Sequence, residues 1–149
     1  MSEIYLGNPN LKKANTPIQF SAEQIEEFLK CKNNPVYFAQ KYVKIVSLDE
    51  GLVPFQPYKF QEKLIKRFHK NRFNICKMPR QTGKSTTVVS YLLHYAVFND
   101  SVNIGILANK AATARELLGR LQTAYENLPK WMQQGVLVWN RGSLELENG

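Results

Sequence analysis

The chain has 149 residues, of which 44% are hydrophobic and 21% charged, so it is of single-domain size, can bury a core and is not compositionally disordered. Its net charge of +8 is concentrated: nine basic residues and one acid, Glu62, stand between Lys59 and Lys84, so that window carries the whole excess and is where a polyanion would be met. The longest mostly apolar run, Val88 to Phe98, is too short to span a bilayer, no leader pattern opens the chain, and Cys31 and Cys76 have neither CxxC nor metal-ligand spacing; a reducing cytosol is the expected setting.

Residues 1–19 are polar and hold Pro9 and Pro17, which predicts an extended arm. Ser21-Ala-Glu-Gln24 has the form of a capping box, with Phe20 and Ile25 placed for a hydrophobic staple, and opens a helix to about Lys32. Asn34-Pro35 caps a second, short helix through Tyr42. Asp49 to Pro57 reads as loop. A third helix is expected from about Tyr58 to Lys70, with Phe60, Leu64, Ile65 and Phe68 at helical spacing.

The pattern then changes. Phe73–Met78 and Val102–Ala108 read as apolar strands of the buried parallel kind, each followed by a helix, Lys84–Phe98 and Ala111–Asn127. Strand–helix–strand–helix with short connections predicts an α/β layer fold on a parallel sheet, left incomplete by having only two such strands. Gly135–Trp139 and Ser143–Glu147, joined by Asn140-Arg-Gly142, read as a β-hairpin, with Glu145 and Glu147 on a solvated edge.

Met78-Pro-Arg-Gln-Thr-Gly-Lys-Ser85, between a strand and a helix, carries the chemistry. Gly83 lets backbone approach a phosphate, and the first helical N–H groups have no intrahelical partner and sit at the positive end of the helix dipole. Lys84 adds a full charge for β- and γ-phosphates, and the Ser85 hydroxyl suits Mg²⁺. Gln81, Thr82 and Thr86 complete the loop. Met78 stands where the usual pattern has its first glycine, and Pro79 lacks an N–H. Arg80 is either a solvated loop arginine or a guanidinium that reaches the γ-phosphate in cis. Upstream, Gln56, Phe60 and Gln61 open the third helix; a Gln amide matches the donor and acceptor edge of adenine, and Phe60 or Tyr58 could stack on the base.

The opening Gly-Asn-Pro-Asn-Leu-Lys-Lys-Ala-Asn, Tyr37-Phe-Ala, Gln56…Phe60-Gln61, Arg80-Gln-Thr-Gly-Lys-Ser85, Gly105-Ile-Leu-Ala108 and Val138-Trp-Asn-Arg-Gly-Ser-Leu-Glu-Leu146 together resemble the large terminase of tailed bacteriophages, most closely its T-even-like group. The resemblance covers essentially the whole chain, and that family tolerates the missing first glycine. It implies a P-loop NTPase of RecA/ASCE-like type: a parallel sheet flanked by helices, with an N-terminal arm and helical region over 1–57 and the first part of the ATPase core over 58–149. It implies ATP and Mg²⁺ as ligands, Lys84 and Ser85 at the phosphates and the metal, Arg80 sensing the γ-phosphate, and Gln56, Phe60 and Gln61 around adenine. It further implies double-stranded viral DNA, the portal and the small terminase subunit as partners, a homo-oligomer on the portal, no membrane, and a place in the host cytoplasm and at the prohead portal vertex.

An apolar strand ending in Asp-Glu, which such an ATPase needs for Mg²⁺ and for water activation, does not occur in these residues, nor does a nuclease domain. Poor or absent ATP hydrolysis by the 149 residues alone is expected. Two other readings stay open: a superfamily-2-like helicase or translocase, and a basic nucleic-acid-binding module whose Gly-Lys-Ser is accidental. The Lys/Arg residues of 59–72 are either a solvated helix face or a DNA-facing patch. His69 and His94, far apart on helices, read as surface or packing residues, Trp131 and Trp139 as core fillers, and Cys76 as an inert buried thiol.

Overall fold

The structure, a computed structural model, describes residues 3–47 and 49–149. The first two residues of the expected arm lie outside them. The elements in chain order are β1 (Ile4–Tyr5), β2 (Asn8–Lys12), α1 (Ala22–Asn33), α2 (Pro35–Tyr42), β3 (Lys44–Ser47), β4 (Gly51–Pro54), α3 (Lys59–Lys70), α4 (Lys84–Phe98), α5 (Ala111–Glu126), β5 (Val136–Trp139) and β6 (Leu144–Leu146). The fold is mixed α/β, with five helices and small antiparallel sheets among the described residues.

The five helices fall where the sequence pattern puts them, because their end signals are local. Ser21 Oγ accepts from the Gln24 amide at 3.2 Å while the Gln24 carboxamide accepts from the Ser21 amide at 3.0 Å, the reciprocal capping box. The Asn34 side chain caps α2 through the Tyr37 amide at 3.0 Å, with Pro35 in the first turn. The hydrophobic staple does not close: Phe20 and Ile25 are both exposed, and the Phe20 ring meets Phe28 instead, 6.5 Å between centroids.

Helix α4 is the centre of the molecule and packs against α2, α3 and α5. Its buried residues Val89, Leu93, His94, Val97 and Phe98 meet Phe38 of α2, Ile65 of α3, and Leu121 and Tyr125 of α5 in one core. The rings of Phe38, His94 and Phe98 lie 4.8–5.5 Å apart, near edge-to-face or tilted, a geometry that adds to area burial. Trp131 and Trp139 are half-buried against this core, as expected of packing residues.

Some sequence expectations are met only in part. Phe73–Met78 and Val102–Ala108 carry no assigned strand, and a parallel sheet is not shown among the described residues; the one parallel contact is an isolated bridge, Lys13 to Val136. A buried parallel strand needs a paired neighbour and covered faces, and these segments are unpaired with apolar side chains bare: Phe73, Ile75 and Leu107 are 84%, 101% and 92% exposed. The expected loop Asp49–Pro57 holds a strand: Gly51–Pro54 is β4, which pairs antiparallel with β3, registered Lys44 to Pro54 and Ser47 to Gly51. The arm is also a hairpin, β1–β2, and it is docked: Leu11 and Lys12 are buried.

The predicted C-terminal hairpin, β5–β6, is present, and Glu145 is solvated as expected. Glu147 is not. Its carboxylate accepts from the Asn15 and Gly135 amides, each at 2.7 Å, and pairs with Lys12 Nζ at 3.1 Å, clamping the arm to the hairpin. Burial alone would raise its pKa, but those two amides and the ammonium outweigh burial and lower it. Gly135 is obligatory at this junction, since a Cβ there would collide with the Ala14 backbone. Gln133, also buried, fastens the same arm: it accepts from the Lys12 amide at 3.0 Å and donates to the Asn10 carbonyl at 2.9 Å.

Candidate nucleotide site

The loop Pro79–Gly83 joins the unpaired segment 73–78 to α4. Two of its residues take left-handed backbone: Gln81 at φ +60° and Gly83, the N-cap of α4, at φ +72°. That conformation is routine for glycine and costly for a residue with a Cβ, so Gly83 answers a local need while Gln81 sits in a sparsely populated region. Thr82 Oγ1 donates to the Pro79 carbonyl at 3.0 Å and closes the turn.

The helix tip is open. The Thr87 amide and hydroxyl both donate to the Gly83 carbonyl, at 2.9 and 2.8 Å. The amides of Lys84, Ser85 and Thr86 ahead of it have no acceptor among the described residues. The first turn carries no acidic side chain, and α4 has no N-terminal side-chain cap. Three adjacent unpaired N–H groups at the positive end of a fifteen-residue helix form an anion-seeking surface.

Lys84 is half-buried and folds back over the loop, its Nζ donating to the Met78 carbonyl at 2.8 Å and the Pro79 carbonyl at 3.3 Å. The ammonium is therefore held at the mouth of the loop by neutral acceptors. A phosphate oxygen, being anionic, is a stronger acceptor than either carbonyl. Ser85 is exposed and Thr86 half-buried, and Arg80 and Gln81 are exposed.

Helix α3 braces the loop from beneath. Gln61 is 3% exposed; its Oε1 accepts from the Tyr58 amide at 2.8 Å, and its Nε2 lies 3.4 Å from the Gly83 carbonyl and 3.5 Å from that of Thr82. The carboxamide expected at adenine is turned inward, with both ends engaged. Gln56 and Phe60 remain exposed, and Phe60 stacks on Tyr58 with centroids 5.8 Å apart and planes at 11°. The structure thus brings Gln61, Thr82, Gly83, Lys84, Ser85 and Thr86 together around one helix tip.

Thr87 is the residue that the sequence pattern left out. A threonine four residues after a loop glycine, able to return its hydroxyl to that glycine's carbonyl, is the signal that could have found it. Other expectations shift. Cys76 is half-buried, and the thiol buried outright is Cys31, whose pKa burial pushes up to about 12. His69 and His94, distant in sequence, are neighbours, with ring centroids 5.8 Å apart. A hollow of about 400 Å³ lined by Leu64, Arg67, Phe73, Ile75, Cys76 and Met78 adjoins the loop's entry. No protein-family model matches the chain.

Proposed function

We propose that this chain is the N-terminal ATPase portion of a phage terminase large subunit, a P-loop motor component that binds Mg²⁺–ATP to drive viral double-stranded DNA into a prohead. The observation that carries the reading is the bare tip of α4: three unpaired amides, a left-handed glycine and an adjacent lysine at the end of a strained loop. A triphosphate would take the amides of Lys84, Ser85 and Thr86, and the Lys84 ammonium would turn from the loop carbonyls to its β- and γ-oxygens. The Ser85 hydroxyl, exposed at the first turn, would ligate Mg²⁺, which when bound offsets charge on the phosphates. Arg80, exposed at the loop's outer bend, is free to approach a γ-phosphate.

On the base side, the stacked Tyr58–Phe60 pair and Gln56 are the groups open to adenine, while Gln61 holds the loop in place. A thermal-shift series tests this division. Mg²⁺–ATP should raise the melting temperature more than Mg²⁺–GTP or inorganic tripolyphosphate does. The Gln56→Ala variant should erase the difference between ATP and tripolyphosphate. Equal shifts from all three ligands in the unmodified chain would remove the adenine assignment, and no shift from any would remove the ATPase reading.

A further inference from the structure

We infer that the outward face of α3 is a binding surface for the phosphate backbone of duplex DNA, read without regard to sequence. At 3.6 residues per turn, Lys59, Lys63, Lys66, Arg67 and Lys70 fall within an arc of about 100° and run some 16 Å along the helix. They lie opposite Gln61 and Ile65, which are buried, and all five are exposed. Arg72 and Lys77, also exposed, follow α3 in sequence and add to the local positive charge.

None of these seven side chains forms an ion pair or a hydrogen bond among the described residues. The helix's one acid, Glu62, is taken by the Gln40 carboxamide at 3.0 Å. Structure alone does not account for the strip. Arg67 and Lys70 suit the negative end of the helix dipole, but Lys59 and Lys63 stand at its positive end, and the pairs 59/63, 63/67 and 66/70 repel across one turn. A face that costs the helix stability and neutralises nothing within the protein is complementary to an outside polyanion.

The occupant follows from the shape. An amphipathic helix lying on a membrane spends its apolar face on lipid, and that face of α3 is already buried against α2 and α4. A single-stranded ligand needs a row of rings that stack on successive bases, and within Lys59–Lys70 the exposed face carries one Phe, Tyr or Trp ring, Phe60, against five cations. A straight row of cations on a rigid rod matches a phosphate row on a duplex.

The test is fluorescence anisotropy on the full chain with two labelled duplexes of about 20 base pairs and unrelated sequence, across about 50–200 mM salt. The quartet Lys59→Gln, Lys63→Gln, Lys66→Gln, Lys70→Gln keeps helix propensity. It should bind both duplexes at least about tenfold more weakly, with the slope of log K against log salt reduced by about 3–4. The exposed control quartet Lys13→Gln, Lys44→Gln, Lys110→Gln, Arg141→Gln should bind like the unmodified chain. Equal losses in the two quartets, no loss in the first, tighter binding to single strands of equal charge, or binding to phosphatidylserine vesicles in place of duplex would each overturn the inference. Failure of the unmodified chain to bind a Mg²⁺–ATP analogue, with duplex binding retained, would remove the nucleotide reading and leave this one standing.

Discussion

The Gln61 carboxamide occupies the space in front of Gly83. Its Nε2 stands 3.4 Å from the Gly83 carbonyl oxygen, and a Cβ added at residue 83 would come within 2.5 Å of it. Glycine is favoured at this position by φ +72°, and any Cβ there would also have to displace the Gln61 carboxamide. Gly83→Ala should cost about 1–2 kcal/mol for the left-handed backbone alone, and more for the displaced carboxamide. Chemical denaturation of Gly83→Ala, Gln61→Ala and the double variant separates the two. The cost of Gly83→Ala should fall to the backbone component in the Gln61→Ala background, and full additivity would show that the two residues do not meet.

The clamp at Glu147 should be measurable in the same way. Its carboxylate takes two amides and an ammonium, so Glu147→Ala leaves the Asn15 and Gly135 N–H groups unpaired and is expected to cost about 2 kcal/mol or more. The β1–β2 hairpin should also become more protease-sensitive. A variant as stable as the parent would mean that the arm's other contacts, those of Leu11, Asn8 and Gln133 among them, suffice to hold it.

Acid should destabilise the protein in two stages. Burial, with the nearby His69 opposing charge, lowers the His94 pKa to about 4; its Nε2 lies 3.0 Å from the Cys31 carbonyl and its buried Nδ1 has no partner. A histidine held neutral in the native state binds its proton mainly when unfolded, so stability should decline as pH falls from about 6.5 toward 4, by up to about 3 kcal/mol. Glu27, ionised by its hydrogen bond to Lys41 against the cost of burial and with help from Tyr42 and Tyr37, is lowered to about 2. Its contribution is full above the ordinary carboxylate range and is lost as pH falls from there through about 2. Urea midpoints against pH should show His94→Gln flattening the first stage and Glu27→Gln the second.

Much of this was legible because it is local. Ser21, Asn34 and Pro35 announce their helices through caps that involve residues only three positions away, and Gly83-Lys84-Ser85 announces the start of the helix it opens. What was not legible concerns partners. Ile75 and Leu107 have strand-like neighbours in sequence, but a strand exists only against another strand. The apolar alternation around Glu147 is the same whether its face meets water or the amides of Asn15 and Gly135. Gln61 reads equally well as an adenine ligand or a brace; only the approach of Thr82 and Gly83 distinguishes them.

Whether the α4 tip grips a triphosphate is measured most directly by isothermal titration calorimetry with Mg²⁺ and a non-hydrolysable ATP analogue. Saturable one-to-one binding is expected for such a grip, weakening at least about tenfold in Lys84→Ala through the loss of one charge-assisted contact. Heats indistinguishable from dilution at millimolar analogue, or equal affinity in Lys84→Ala, would contradict it.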